Sequence, residues 1–156
     1  MHPRTLGYLG RALSLELTAV QQYLTQATLT RAWGLSDAAD RLQAEAEEEC
    51  RHAQRLIERL LARGAVPNAS QLKPPGVARS LPELLRLDAR LEAEIIDLYA
   101  QALAFSRRAG EAEEVGLFAA LLAEEQAHAR ELADWLASLG EATDSRRGQW
   151  QQRASL

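Results

Sequence analysis

The chain has 156 residues, enough for one domain that buries a core without disulfides. Its net charge of −4 argues against nucleic acid as a partner, and no stretch approaches the roughly 18 uninterrupted apolar residues of a membrane span. The single cysteine, Cys50, excludes an internal disulfide and fits a reducing compartment. The amphipathic start of the chain contains Glu16, which a secretory signal core would not carry, so we expect a cytoplasmic protein.

Apolar residues recur three and four positions apart in four segments, which is the pattern of amphipathic helices. The four apolar stripes cover residues 9–27, 42–60, 85–102 and 118–139. A glycine follows each segment and is expected to end its helix; these residues are Gly34, Gly64, Gly110 and Gly140. The links between helices one and two and between helices three and four are short, which predicts two antiparallel hairpins.

The link between the second and third helices, residues 64–80, is long and contains Pro67, Pro74 and Pro75, which favour extended chain. Sixteen steps of about 3.3 Å reach roughly 53 Å, whereas a helix of about 26 residues is roughly 39 Å long. The link can therefore run the height of the bundle and leave helices two and three parallel. We predict an all-α, up-down-down-up four-helix bundle with one long crossover.

The two halves of the chain repeat the same polar residues at a displacement of 76 positions (92 − 16 = 76). The related pairs are Glu16 and Glu92, Tyr23 and Tyr99, Glu49 and Glu125, and His52 and His128. Packing alone depends on volume and does not select carboxylates. A repeat of this kind therefore indicates a chemical site with contributions from both halves.

Helix geometry brings the repeated acids and histidines together. In each half, a Glu and a His three residues apart share one helix face, and the lone Glu of the preceding helix lies at a similar height. All six positions fall on the apolar stripes; they are Glu16, Glu49, His52, Glu92, Glu125 and His128. A single Glu on such a stripe more often lies at the edge of the core, with its carboxylate in water.

Four core carboxylates without cations would cost several kcal/mol each to desolvate. No arginine or lysine falls on these stripes, and two divalent ions would cancel the four negative charges. Oxygen-rich ligands with one imidazole per metal suit iron or manganese. We predict a two-metal site in which Glu49 and Glu125 bridge both ions, and in which Glu16 and His52 complete one of them. Glu92 and His128 complete the other.

Over nearly its whole length the chain resembles the bacterioferritins, which are ferritin-like di-iron carboxylate proteins. The similar stretches are residues 15–23 (Leu-Glu-Leu-Thr-Ala-Val-Gln-Gln-Tyr), 33–34, 49–53 (Glu-Cys-Arg-His-Ala), 57–61, 66–68 and 88–92. All six ligand positions of the family's ferroxidase site are filled. The resemblance implies two iron ions per subunit, oxidation of Fe(II) by O2 or H2O2, and ferric mineral stored in a 24-subunit cage, or else a dimer.

The resemblance also places Tyr23 beside the site, either as an electron donor or as a hydrogen-bonded core residue, with Tyr99 as its structural counterpart. The family binds haem through a methionine at the position of Cys50, and the only methionine here is Met1. We expect no haem, unless a methionine-bearing sister subunit supplies it. The alternative is haem ligation by the cysteine thiolate, although a lone cysteine is more often a small buried side chain.

The bundle is assigned to residues 1–140 and a tail to residues 141–156, of which 149–156 are a candidate short fifth helix. A rival hypothesis is a non-storage di-iron or di-manganese oxidase or peroxidase, which would show a substrate cavity beside the metals. A third is a catalytically silent subunit mixed with a haem-bearing partner, and the intact ligand set argues against silence.

Overall fold

The computed structural model describes residues 1–68 and 71–153, with side chains described up to residue 140. It contains the helices α1 (Pro3–Ala32), α2 (Ser36–Ala62), α3 (Leu81–Ala109) and α4 (Ala112–Arg153). Helices α1 and α2 pack together as one hairpin, α3 and α4 as the other, and α1 also packs on α3. The predicted four-helix bundle with a crossover between the second and third helices is confirmed.

Three of the four glycines predicted to end helices do so. Gly34, Gly64 and Gly110 have φ values of 79°, 73° and 70°, a region that side chains with a Cβ rarely adopt. At the start of α3, the Ser80 hydroxyl accepts a hydrogen bond from the backbone N–H of Glu83 at 3.4 Å. These ends set the heights of the helices and hence of the side chains they carry.

The prediction that Gly140 ends the fourth helix was wrong, because α4 continues through it to Arg153. A glycine inside a helix costs only about 1 kcal/mol relative to alanine, so helical neighbours on both sides outweigh it. Residues 149–153 continue α4, and the remainder of the predicted fifth helix, residues 154–156, lies outside the described part of the chain. The division of the chain into a bundle of residues 1–140 and a tail of residues 141–156 stays a prediction.

A buried polar network ties the crossover to α1 and α3. The Gly76 N–H donates to Gln22 Oε1 at 2.9 Å, and Gln26 Nε2 donates to the Gly76 carbonyl at 3.0 Å. Gln22 Nε2 also donates to Asp88 Oδ1 at 2.8 Å. A Cβ on residue 76 would lie 3.1 Å from Gln22 Oε1, so glycine permits this close approach. The network fixes the two helices that carry the lone Glu residues against each other.

The Asp88 carboxyl gives the fold a pH dependence. Burial raises its pKa from 3.8 to about 7, although the hydrogen bond from Gln22 opposes the rise. At pH values between 3.8 and about 7, Asp88 keeps a proton in the folded protein that it has lost in the unfolded chain. The free energy of unfolding therefore falls as pH rises through this range. We predict that Asp88→Asn removes this contribution, of order 1 kcal/mol per pH unit, because the amide stays neutral and keeps the acceptor oxygen.

Urea unfolding of parent and variant at about pH 5 and about pH 7.5 measures this effect. Asp97, which is exposed on the same helix, provides the control. In Asp97→Asn, the change in the free energy of unfolding between the two pH values should equal that of the parent. An Asp88→Asn protein with the parent's pH dependence would contradict the prediction.

Candidate metal centre

The six residues predicted from the sequence come together in the middle of the bundle. Glu16 lies on α1, Glu49 and His52 on α2, and Glu92 on α3. Glu125 and His128 lie on α4, so every helix contributes. The four carboxylates and His52 are at most 1% exposed, and His128 is 12% exposed.

The ligand atoms fall into two overlapping sets. One atom each from Glu16, Glu49, His52 and Glu125 lie within 4.8 Å of one another. One atom each from Glu49, Glu92, Glu125 and His128 do the same. Glu49 and Glu125 belong to both sets, while each set has its own lone Glu and its own imidazole. Two sets that share two carboxylates are consistent with a dinuclear metal site.

Unpaired oxygen atoms line this cluster. One buried oxygen of each carboxylate has no hydrogen-bond partner among the described residues; these atoms are Glu16 Oε2, Glu49 Oε1, Glu92 Oε2 and Glu125 Oε2. His128 Nδ1 is unpaired in the same way. An unsatisfied buried polar atom costs about 1–3 kcal/mol, and four anionic oxygens facing one another cost more. Among the described residues no lysine or arginine pairs with these carboxylates, so the donor set fits divalent cations.

Without metal, protons balance the charges of the cluster. Burial raises the pKa values of Glu16, Glu49 and Glu92, so these carboxyls retain protons more readily than usual. Burial opposes ionisation of His52, but its hydrogen bonds with Glu125 and Glu49 and the nearby Glu16 carboxylate outweigh burial and raise the pKa of His52 to about 12. Burial also opposes ionisation of Glu125, but its hydrogen bond with His52 and the nearby His128 imidazole outweigh burial and lower the pKa of Glu125. Two divalent ions can take the place of these protons.

The two imidazoles have different surroundings. His52 Nδ1 faces the cluster, 2.9 Å from Glu49 Oε2 and 2.7 Å from Glu125 Oε1. Its Nε2 lies 2.8 Å from Glu124 Oε2, and Arg55 Nη1 donates to both oxygens of Glu124 at 2.9 Å. Contacts of this kind fix the orientation of an imidazole and leave its other nitrogen free for a metal.

Sequence reasoning missed two acids that contact these imidazoles. Glu124 was overlooked although it directly precedes Glu125 in the chain. Glu45, one helical turn before Glu49, has a buried Oε2 3.8 Å from His128 Nδ1. Both share a helix face with a predicted ligand, and that spacing was the signal available. The pattern does not distinguish such a residue from one on the solvated face.

Both repeated tyrosines contact the cluster. Tyr23 Oη donates to Glu92 Oε1 at 2.8 Å, and Tyr99 Oη donates to Glu16 Oε1 at 2.5 Å. Burial raises the pKa of each phenol well above its usual value, so both remain donors. Tyr23 therefore lies beside the cluster as predicted, in a place that suits either of its two expected roles.

Cys50 points away from the cluster although it follows Glu49 in the chain. Its side chain is exposed, so the expectation of a small buried cysteine was wrong. Adjacent residues on a helix are about 100° apart, which turns residue 50 outward when residue 49 faces the core. In the part of the chain that the structure describes, no helix combines the length and hydrophobicity needed to cross a membrane.

Known proteins share this architecture. The profile of the ferritin family, described as a ferritin-like domain, matches residues 6–142. A bacterioferritin of Streptomyces coelicolor is 32% identical over 143 residues, which cover 90% of this chain and 86% of the relative. A bacterioferritin of Brucella melitensis is 31% identical over 147 residues, which cover 94% and 91% of the two chains.

Among solved structures, bacterioferritin of Rhodobacter capsulatus superposes with a TM-score of 0.88 at 28% identity, over 90% of this chain and 88% of that chain. That structure is described as having a metal-free dinuclear site and a haem iron in a crystallographic special position. The match of the family profile and the identity to relatives along most of the chain agree with the buried Glu and His cluster. The chain belongs to the ferritin-like family and is a homologue of the bacterioferritins.

Proposed function

We propose that this chain is a bacterioferritin-type ferroxidase and iron-storage subunit, which oxidises Fe(II) with O2 or peroxide and stores ferric mineral. The observation that carries the proposal is the pair of buried ligand sets that share Glu49 and Glu125. In these sets an unpaired oxygen remains on every carboxylate. A purely structural core would not gather four acids without basic partners.

In this proposal Glu49 and Glu125 would serve both iron ions. Glu16 and His52 would hold one ion, and Glu92 and His128 would hold the other. Two Fe(II) ions held there as substrate would give one oxidant molecule two electrons, which avoids the release of one-electron products. The chain itself holds both ions in a dry site and orients His52 through Glu124. Tyr23, hydrogen-bonded to Glu92, is a candidate electron donor.

Storage requires an assembly that encloses a cavity. The relatives named bacterioferritin favour an oligomeric assembly. We propose a cage, with a dimer as the smaller alternative. We propose that the homo-oligomer works in the cytoplasm. We also propose that it lacks haem, because position 50 holds an exposed cysteine in place of methionine. Mixing with a haem-bearing subunit would supply haem to the assembly without a ligand from this chain.

The space beside the cluster favours small oxidants. A cavity of about 10 Å³ lies next to Tyr23, Glu45 and His128, and its wall also includes Arg41, Leu42, Leu132 and Trp135. That volume is room for about one water molecule. O2 and H2O2 are of comparable size, whereas an organic substrate would need the walls to move apart. The non-storage di-iron or di-manganese oxidase or peroxidase remains the rival function.

Aerobic addition of Fe(II) to the purified, metal-free assembly distinguishes storage from its rival. We expect soluble ferric mineral to accumulate well beyond two irons per chain, because oxidised iron must leave the site for a cavity. Iron analysis of the fractions from size-exclusion chromatography measures both the loading and the assembly size. Uptake that stops at two irons per chain on a dimer would favour the non-storage enzyme.

Two substitutions test the assigned ligands. Glu16→Ala or Glu92→Ala should slow the fast phase of Fe(II) oxidation at least about a hundredfold, because each removes a ligand of one ion. The helices should stay folded by circular dichroism, since the core loses a charged group rather than an apolar one. Stopped-flow absorbance measures the rate.

Glu94 on α3 provides a matched control for the loss of a glutamate. It is exposed and pairs with Lys73 at 2.8 Å, so Glu94→Ala should oxidise Fe(II) at the parent rate. Normal rates in both Glu16→Ala and Glu92→Ala would refute the ligand assignment.

A further inference from the structure

Two tyrosines hold the two lone Glu residues in the same way. Tyr23 on α1 donates to Glu92 on α3, and Tyr99 on α3 donates to Glu16 on α1. The hydrogen bonds cross the α1–α3 interface in opposite directions, and the sequence repeat relates one to the other. In each pair the phenol takes Oε1 and leaves Oε2 buried without a partner among the described residues.

The hydrogen bond from Tyr99 fixes one oxygen of Glu16 and restrains the rotation of the carboxylate group. It leaves Glu16 Oε2 as the oxygen without a hydrogen-bond partner among the described residues. The Tyr99 side chain is fully buried, and its ring packs near Phe118 with a centroid distance of 6.1 Å. The donor itself is thus held in place by the core.

Another partner competes for the same carboxylate. His52 Nδ1 lies 3.6 Å from Glu16 Oε1, the oxygen that Tyr99 occupies. Without the phenol, the Glu16 carboxylate would be free to turn to His52 and form an ion pair with it. That pair would compete with the metal to which both residues are assigned. The hydrogen bond from Tyr99 restrains Glu16 from turning toward His52.

We propose that Tyr99 is a positioning residue for the metal bound by Glu16 and His52, and that Tyr23 serves the metal bound by Glu92 and His128 in the same way. The inference rests on the proposed function, since it presupposes the two metal positions. It adds that each metal position depends on a tyrosine from the helix opposite its lone Glu. Metal binding at one position can therefore be weakened without affecting the other.

Titration of the metal-free full-length protein with Co(II) under nitrogen tests this dependence. Visible absorption of bound Co(II) reports the ligands directly, and calorimetry gives the affinities. The parent should bind two Co(II) per chain. Tyr99→Phe keeps the ring and removes the donor, so it should weaken one of the two Co(II) ions about tenfold and change its spectrum.

A Glu16→Ala background assigns the effect to one position. There, Tyr99→Phe should not alter the affinity of the remaining Co(II), whereas Tyr23→Phe should lower it about tenfold. Tyr8→Phe is the control, because Tyr8 is a buried tyrosine about two helical turns before Glu16 on α1, packed beside Phe105 with a centroid distance of 5.8 Å. It should bind both Co(II) ions as the parent does.

The outcomes separate this inference from the proposed function. A parent that fails to bind two Co(II) per chain would refute the two-metal site itself. A parent that binds two, together with a Tyr99→Phe variant of unchanged affinities and spectrum, would overturn only the role of Tyr99. A lower melting temperature in Tyr99→Phe with parent-like Co(II) binding would likewise overturn it, since that result is a structural effect.

Discussion

The mutual repulsion of four buried carboxylates is the constraint on which the rest of this molecule depends. Glu16, Glu49, Glu92 and Glu125 share a buried core, and in the described part of the chain their only cationic partners are histidines, with no lysine or arginine. Protons on the acids and on His52 balance the charge in the metal-free protein. The same donor atoms suit two divalent cations, so the arrangement is tolerable only with protons or metals present.

The fold supplies rigid support for this costly arrangement. Each helix contributes at least one member of the cluster. The long crossover lets the two hairpins pack face to face with the cluster between them. Gln22 and Gln26 hydrogen-bond to the crossover backbone at Gly76, and Gln22 also donates to Asp88, which joins α1 to α3. Buried hydrogen bonds of this kind resist displacement, because a shift leaves a buried donor or acceptor unpaired. The two helices that carry the lone Glu residues are therefore held against each other.

Sequence reasoning located the helices and all six clustered residues, because helical periodicity and a faithful repeat are local signals. It failed where neighbouring structure overrides local preference. Gly140 has the residue type of a helix end, yet α4 continues through it. The contact between Glu124 and His52 depends on which helix lies opposite, which no spacing within one helix reveals. The hydrogen bond from Tyr99 to Glu16 joins residues 83 positions apart and depends on the same tertiary contact.

The repeat in the sequence does not make the two halves of the centre equivalent. His52 is 1% exposed, and its Nε2 contacts Glu124, which Arg55 neutralises. His128 is 12% exposed, its Nδ1 is unpaired, and Glu45 lies 3.8 Å away beside a cavity of about 10 Å³. Burial disfavours the charged form of both imidazoles, and nearby carboxylates oppose it. Glu125, Glu16 and Glu49 raise the pKa of His52 to about 12, whereas Glu125 and Glu45 raise that of His128 only to about 9. Identical ligand types therefore meet two environments: one closed by an ion pair, and one that adjoins a small cavity.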